Sequence, residues 1–528
     1  MELKHINELE RATKKGRAEL FRLGIGLLFI LGVMVYASFR GGEGGMLLIV
    51  AAVVGGYMAM NIGANDVANN VGPAVGSKAL TLGGALAIAA IFEAAGALLA
   101  GGDVVGTIRS GIINPALIPD TDNFVWLMLA ALLAAALWLN LATAVGAPVS
   151  TTHSIVGAVL GAGMAAAGPA IVAWGKMGEI AASWVISPVL GGLIAAAFLY
   201  LVKRSITYQQ DMVAAARRMV PWLVAFMAWA FTTYLIQKGL SRIWKTSFTE
   251  AALVGLGMAV LFYFFTRWRV ALRVFNSGST AKQNVNQLFT VPLIFAAALL
   301  SFAHGSNDVA NAVGPLAAIV DVYSSAERTI HSSAPIPLWV MMVGALGIAV
   351  GLALFGPKVI RTVGSEITEL DQMRAYCIAM SATITVIIAS AMGLPVSSTH
   401  IAVGGVFGVG FLREYLKRNY DRMVADIKAH HPEGDQAAID AFMVRFGRAS
   451  IEEKGELLRE LKAAAKKQMD PAHFSKAERS DLRKVYRHEL VKRSQLMKIV
   501  AAWVVTVPAT AIMAAMLFFM IRGMMVGA

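Results

Sequence analysis

The chain has 528 residues, of which 57% are hydrophobic and 15% are charged, and its formal net charge is +13. Soluble globular domains carry roughly 25% charged residues, so this composition excludes an ordinary soluble domain and predicts an all-α polytopic membrane protein surrounded by lipid. No nucleic-acid partner is expected, because the basic residues gather in loops between apolar runs, where the positive-inside rule explains them. Cys377 is the only cysteine, which excludes an intramolecular disulfide.

Apolar runs of membrane-crossing length recur along the chain. A transmembrane helix needs about 20 such residues, so about 10–12 crossings are predicted. The clearest runs are 21–38, 46–60, 82–100, 125–145, 181–202, 221–237, 251–266, 338–355, 375–392 and 501–521. No small-residue cleavage site follows the first run, which is therefore expected to be a retained helix rather than a cleaved signal peptide.

Two polar motifs each occur twice, and in the same order. The stretch "GANDVANNVGP" begins at Gly63 and "GSNDVANAVGP" begins at Gly305; "PVSTTH" begins at Pro148 and "PVSSTH" begins at Pro395. A weaker match, "TIRS" with "TVGS", lies between the two motifs in both halves. Matches in the same order indicate an internal duplication, as in many transporters.

The positive-inside rule gives the two repeats opposite orientations. From a basic, cytoplasmic N-terminus, the first repeat begins outside the cell and the second begins inside, so the repeats are predicted to be inverted. The predicted division is 1–45 for the cytoplasmic N-terminus and an extra transmembrane helix, 46–202 for repeat 1, 203–289 for a linker with a two-helix transmembrane hairpin, 290–412 for repeat 2, 413–497 for a cytoplasmic helical insert, and 498–528 for the closing transmembrane helix of repeat 2.

Both motifs are expected to interrupt helices inside the membrane. Irregular backbone is tolerated at membrane depth only where it is buried in protein or lines a wet cavity. Inverted repeats with matched interruptions are typical of a transporter whose binding site lies between the repeats. The sequence therefore predicts broken helices around a central site.

The Pro-Val-Ser motifs suggest an anion site. Proline suits the first turn of a helix, and the free N–H groups of that turn attract anions. Hydroxyl groups add further donors suited to a tetrahedral oxyanion, and they are supplied by Ser150, Thr151, Thr152, Ser397, Ser398 and Thr399. The alternative is that these hydroxyls only cap helices or bond to preceding carbonyl groups.

The Asn-Asp motifs suggest a cation site. Asp66 and Asp308 offer carboxylates, and neutral amide oxygens lie nearby on Asn65, Asn69, Asn307 and Asn311. Oxygen ligands of this kind suit a hard cation, although a helix cap is the alternative. Carboxylates repel an oxyanion until a cation or proton neutralises them, so the two ligands should bind with positive coupling. Symport is the expected consequence.

Further polar residues have two interpretations each. Glu93, alone in an apolar run, could be a proton or cation site or could bond to a neighbouring helix. Arg109 could face the anion or the membrane interface. His153 and His400 could carry a proton or support a loop. Together with Glu93 and Arg109, they are candidates for ion coupling or for indirect support of the site.

These paired motifs resemble the inorganic phosphate transporter (PiT) family, over roughly residues 46–412 and the closing helix. The resemblance implies inverted repeats with re-entrant hairpins around phosphate and its cations. It assigns the six hydroxyl residues, with Asn69 and Asn311, to phosphate, and Asp66, Asp308, Asn65 and Asn307 to the cation. It also implies symport of phosphate with sodium in many members, or of metal-phosphate with protons in others.

The prediction is therefore a secondary transporter that imports inorganic phosphate by alternating access, coupled to sodium or a proton, with sodium preferred. It is expected in the plasma (inner) membrane, with its N-terminus and residues 413–497 in the cytoplasm. No cofactor and no resident metal are predicted, and a homodimer is left open. Alternatives are a proton-coupled carrier of metal-phosphate, sulfate or arsenate, a membrane hydrolase, and a receptor.

Overall fold

The computed structural model describes most of the chain. The described residues are 2–40, 45–118, 120–145, 149–241, 244–275, 278–325, 335–366, 371–429 and 493–526, with 441, 444, 445 and 457. Within them the regular structure is helical, apart from one isolated bridge between Ile113 and Val172. This agrees with the predicted all-α class.

The α-helices in these ranges follow one another with short connections. They are α1 (Glu2–Arg40), α2 (Gly45–Gly76), α3 (Leu82–Ala100), α4 (Gly102–Gly106), α5 (Thr121–Val145), α6 (Thr151–Ala167), α7 (Trp174–Val202), α8 (Met212–Tyr234), α9 (Phe248–Ala271), α10 (Ala281–Leu288), α11 (Thr290–Asp308), α12 (Ala310–Ser324), α13 (Leu338–Glu366), α14 (Gln372–Ala391), α15 (Ser398–Ala429) and α16 (Arg493–Val526). Short π-helices extend α4, α7 and α8, at Thr107–Gly111, Lys203–Thr207 and Leu235–Gly239.

Eleven helical segments of the described chain are long and apolar enough to cross a membrane. This number confirms the predicted 10–12 crossings. One of these segments, Ala281–Ser324, is not among the apolar runs predicted from the sequence. The polar stretch from His304 to Asn311 interrupts its hydrophobic pattern.

The helix interruptions occur only partly where the sequence predicts them. The expected break at Asn65 and Asp66 is wrong, because α2 runs without interruption from Gly45 to Gly76. In the second copy, α11 and α12 are separated only by Val309, whose backbone stays in the helical region. Both Pro-Val-Ser motifs do separate two helices, α5 from α6 and α14 from α15. A continuous helix satisfies its own backbone groups, so the Asn-Asp motifs act through their side chains.

Glycines bring the first helices of the two halves into reciprocal contact. A Cβ atom at Gly63 of α2 would collide with the backbone of Ile348 on α13, and a Cβ atom at Gly305 of α11 would collide with the backbone of Glu93 on α3. Gly63 and Gly305 hold the same position in the two motifs. The first helix of each half therefore packs against a helix of the other half.

The later helices exchange partners in the same way. Gly161 of α6 lies against Ala511 of α16, and the matching Gly408 of α15 lies against Gly192 of α7. Small residues at such contacts allow backbones in a membrane to approach closely. Two equivalent halves that exchange partners would produce this pattern. Their inverted orientation, the re-entrant hairpins and the domain division stay predictions.

The predicted helical insert at 413–497 lies mostly outside the described residues. The structure describes its beginning, where α15 continues from Ser398 to Ala429 through the predicted boundary, and its end, where α16 begins at Arg493.

Candidate functional site

Two buried carboxylates from the two halves lie together in the centre of the fold. Asp66 on α2 and Asp308 at the end of α11 are each 1% exposed. The Thr151 hydroxyl at the start of α6 reaches both: its Oγ1 lies 3.0 Å from Oδ2 of Asp66 and 3.5 Å from Oδ2 of Asp308. One hydroxyl between two carboxylates shows that the two motifs form a single site.

The hydroxyl runs at the starts of α6 and α15 donate to these carboxylates. Ser398 Oγ donates to Asp308 Oδ2 at 3.1 Å, the counterpart of the Thr151 bond to Asp66. Thr399 Oγ1 donates to Asp66 Oδ1 at 3.0 Å and so connects the second Pro-Val-Ser motif to the first Asn-Asp motif. A hydrogen bond to an ionised group is stronger than one between two neutral groups. These bonds hold the N-termini of α6 and α15 beside the carboxylates.

Asn69 and Asn311 complete the same network across the two halves. Asn69 Nδ2 donates to Thr399 Oγ1 at 2.8 Å, and Asn311 Nδ2 lies 3.2 Å from the Oγ1 atoms of Thr151 and Thr152. The structure therefore places both amides beside the hydroxyls that the sequence assigns to phosphate. Thr152 itself donates to the carbonyl oxygen of Val396, at 2.9 Å.

Asn65 and Asn307 hold the Pro-Val-Ser loops. Asn65 Nδ2 donates to the carbonyl oxygen of Val149 at 3.3 Å. Asn307 Nδ2 donates to the carbonyl oxygen of Leu394 at 3.1 Å, and its Oδ1 accepts from the N–H of Val396 at 3.2 Å. The described contacts of both side chains fix the loops, and cation binding by these amides stays a prediction.

The first hydroxyl of each run caps its helix, as the alternative interpretation allows. Ser150 Oγ accepts from the N–H of His153 at 3.1 Å, and Ser397 Oγ accepts from the N–H of His400 at 3.3 Å. Capping satisfies an N–H group that has no partner within the helix. The hydroxyls that donate to the carboxylates are those of Thr151, Ser398 and Thr399.

A histidine that the sequence analysis did not single out joins the two carboxylates to Glu93. His304 Nε2 lies 2.9 Å from Asp308 Oδ2 and 3.8 Å from Asp66 Oδ2, while its Nδ1 lies 3.3 Å from Glu93 Oε1. Asn70 Nδ2 donates to the same Glu93 oxygen at 2.7 Å. His304 and Glu93 are fully buried, so the site contains three acidic groups around one imidazole.

This cluster can hold a small cation. One ligand atom from each of Asp66, His304 and Asp308 lies within 4.8 Å of the others. Buried carboxylates this close are costly unless an opposite charge compensates them. A cation between them, or a proton on the imidazole, would supply that charge.

The family is identified by comparison with known proteins. The model of the phosphate transporter family matches residues 62–514. The chain belongs to this family. A protein named "Putative phosphate permease" from Helicobacter pylori (strain 26695) is 52% identical over 525 residues, which are 98% of each chain. A protein from Thermococcus kodakarensis, named in the same way, is 39% identical over 382 residues, covering 72% of this chain and 92% of the relative.

A solved structure titled "The sodium-dependent phosphate transporter" has a similar fold, with a TM-score of 0.72 and 30% sequence identity. The match covers 90% of this chain and 99% of the other. The protein is therefore an integral membrane phosphate transporter and not an enzyme, as the sequence predicts.

The cluster in this phosphate transporter is asymmetric, and the asymmetry was visible in the sequence. Aligning Gly63 with Gly305 places Ile62 opposite His304, and the reciprocal packing places Ile348 opposite Glu93. Of the two matched contacts between the halves, the one between α3 and α11 thus carries a polar pair, and the one between α2 and α13 carries two isoleucines at the same positions. Comparing the two motifs one residue further upstream would have identified His304.

The histidines that end the two Pro-Val-Ser motifs pack against each other. The rings of His153 and His400 are 4.5 Å apart between centroids, and His153 also stacks on Trp184 at 3.7 Å. His153 Nδ1 lies 2.7 Å from Ser150 Oγ, the capping hydroxyl. This arrangement favours the predicted support of the loops, and proton transfer by these residues stays a prediction.

Arg109 of the transporter is 4% exposed and forms an ion pair with Asp321 of α12, with Nη2 and Oδ2 2.8 Å apart. The guanidinium is thus buried and neutralised by a carboxylate instead of lying exposed at the membrane interface. The pair joins the π-helix after α4 to the end of α12, and phosphate binding by Arg109 stays a prediction.

Proposed function

We propose that this phosphate transporter imports inorganic phosphate by symport with sodium, and that the central site binds both. The observation that carries the proposal is the shared network in which hydroxyls from the starts of α6 and α15 donate to Asp66 and Asp308. The hydroxyls, which could donate to an oxyanion, are thus bonded to the carboxylates, which could bind a cation.

The network suggests how the cation would promote phosphate binding. A hydroxyl has one proton to donate, and those of Thr151, Ser398 and Thr399 are directed at carboxylates. A cation beside Asp66 and Asp308 would neutralise them and let the three hydroxyls turn toward phosphate. Cation and phosphate would then raise each other's affinity, and such coupling is reciprocal.

Sodium is the preferred coupling ion because the similar solved structure is titled a sodium-dependent phosphate transporter and because carboxylate and hydroxyl oxygens suit a hard cation. A proton is the second candidate, and the position of His304 between Asp308 and Glu93 supports it. In either form of symport, an inside-negative membrane potential would increase the driving force. The gain is about 2.3 kcal/mol for each net positive charge carried inward at 100 mV.

Transport by alternating access would move the two halves around the site they share. The helix partners exchanged between the halves, and the bonds that cross between Asp66 and Thr399, provide the contacts that would change. The inner membrane, a cytoplasmic N-terminus and a cytoplasmic segment at 413–497 complete the proposal, and a homodimer is left open.

The test is uptake of radiolabelled phosphate by the purified protein in proteoliposomes, with sodium and proton gradients imposed separately. Sodium symport predicts accumulation with the sodium gradient alone. Accumulation with the proton gradient alone would show that the coupling ion is the proton and not sodium. Uptake that is equally fast with neither gradient would contradict symport. Competition by sulfate, arsenate and divalent metal would separate phosphate from the alternative substrates.

A further inference from the structure

The linker hairpin α8–α9 touches the second Asn-Asp motif through a buried tyrosine. Tyr234, the last residue of α8, is 5% exposed, and its hydroxyl lies 3.1 Å from Ser306 Oγ. Ser306 Oγ already donates to the carbonyl oxygen of Ala303 at 2.7 Å. Because a serine hydroxyl has a single proton, the tyrosine is the donor in the bond to Ser306.

Ser306 directly precedes Asn307 in the chain, so the bond from Tyr234 restrains the backbone that carries the Asn307 side chain. Ser390 Oγ accepts from Asn307 Nδ2 at 2.9 Å. Asn307 in turn holds the loop before α15, through the carbonyl oxygen of Leu394 and the N–H of Val396. The contacts therefore lead from the linker hairpin through Ser306 and its neighbour Asn307 to the loop before α15. The next residues of that loop, Ser398 and Thr399, donate to the carboxylates.

The first half carries a reduced version of this network. Ala64 stands where the second half has Ser306, so one hydroxyl is absent. Thr143 stands where the second half has Ser390, and its buried Oγ1 has no hydrogen-bond partner among the described residues. Asn65 bonds to Val149 of its loop at 3.3 Å. The hydrogen bond of the Tyr234 hydroxyl is made to the second half, at Ser306, while its ring also packs near Ala100 of the first half.

We infer that Tyr234 is a positioning residue for phosphate transport, which fixes Asn307 and the loop before α15 so that Ser398 and Thr399 face the site. The inference rests on the proposed phosphate site. The second half of the site is thereby held by the Tyr234 hydroxyl, and the described residues of the first half show no matching hydrogen bond from a tyrosine. A hydrogen-bond network in a buried site stabilises one arrangement of its members over others.

The test compares Tyr234→Phe with Tyr376→Phe in full-length protein. Tyr376 is a matched control, because it is buried on α14 and its hydroxyl donates to the α8 carbonyl oxygen of Leu223 at 3.5 Å, away from the motif. For Tyr234→Phe we expect the phosphate KM for uptake to rise about three- to tenfold, the effect of losing one buried hydrogen bond. The maximal uptake rate should change much less, and Tyr376→Phe should leave both values unchanged.

Ser306→Ala provides a second, independent variant, and it introduces the residue that the first half carries at Ala64. If Tyr234 acts through Ser306, this variant should also raise KM, and the double variant should raise it by less than the product of the two single effects. Ser306→Ala keeps the tyrosine and therefore tests the inference even if Tyr234→Phe fails to fold.

An unchanged KM in folded Tyr234→Phe, or independent effects of the two substitutions, would overturn the positioning role while wild-type uptake still supports the phosphate site. Absence of phosphate uptake by the wild-type protein would instead overturn the proposed function, and the inference with it.

Discussion

Glu93 Oε1 lies 3.3 Å from His304 Nδ1, at the contact between α3 and α11. The residues at the corresponding positions of the matched contact between α2 and α13, Ile62 and Ile348, cannot carry charge. The two halves are therefore similar in their hydroxyl and carboxylate groups, but each supplies a different member of this pair: Glu93 comes from the first half and His304 from the second. If the two halves contribute differently to ion coupling, the difference should depend on the Glu93–His304 pair.

Glu93→Gln should weaken ion coupling. The substitution preserves the shape of the side chain and an oxygen for Asn70 Nδ2, but it removes one negative charge facing His304. We expect gradient-driven phosphate uptake to fall at least about tenfold, the scale of a one-charge change in a buried site. Uptake in proteoliposomes measures it, and Glu179→Gln, on an exposed acid of α7, is the control. Normal uptake by Glu93→Gln would mean that this charge is not used.

Asp66→Asn and Asp308→Asn should each abolish concentrative uptake. Each substitution is nearly isosteric, but it removes a charge that a coupling cation needs. The protein should still insert and fold, because the amide oxygen of asparagine can accept the bond from Ser398 at position 308, or the bond from either Thr151 or Thr399 at position 66. Membrane yield and uptake with an imposed sodium gradient test both statements, and sodium-dependent accumulation by both variants would refute the assignment of the carboxylates.

Thr151→Val should raise the phosphate KM, and Thr151→Ser should not. Valine removes the hydroxyl that donates to Asp66 and accepts from Asn311, while serine keeps it. The loss of a buried partner costs roughly 1–3 kcal/mol, equivalent to about a five- to hundredfold change in affinity. Uptake against phosphate concentration gives the comparison. Ser154→Ala is a suitable control, since that hydroxyl bonds only to the backbone of Ser150 in the described contacts.

The sequence predicts much of this site because duplication allows one half to be compared with the other. The matched motifs predict that Asp66, Asp308 and the hydroxyl runs lie together, and the structure shows them bonded to each other. The continuous α2 was not predicted, because a polar, glycine-rich stretch inside the membrane can be unwound or can be a helix whose side chains find partners elsewhere. Those partners, such as Thr399 for Asp66, lie hundreds of residues away.

His304 and Tyr234 were missed for different physical reasons. His304 directly precedes the second motif, but isoleucine precedes the first motif, so a search for matched residues does not find it. Tyr234 lies in the linker, and no local pattern indicates that its hydroxyl reaches Ser306. Residues that make the two halves unequal are the ones that a repeat-based analysis is least able to find.

Gly305→Ala should destabilise the protein strongly. A Cβ atom at this position would overlap the backbone of Glu93, so α3 and α11 would have to separate. Overpacking of this kind costs typically about 1–3 kcal/mol, and here it also displaces the Glu93–His304 pair. The matched control is Gly257→Ala on α9, where a Cβ atom meets no atom within 4 Å. Thermal unfolding in detergent should show a lower midpoint for Gly305→Ala than for Gly257→Ala, whose midpoint should equal or exceed that of the wild type because alanine is the better helix former. Equal midpoints for the two variants would show that the contact between α3 and α11 is looser than the structure indicates.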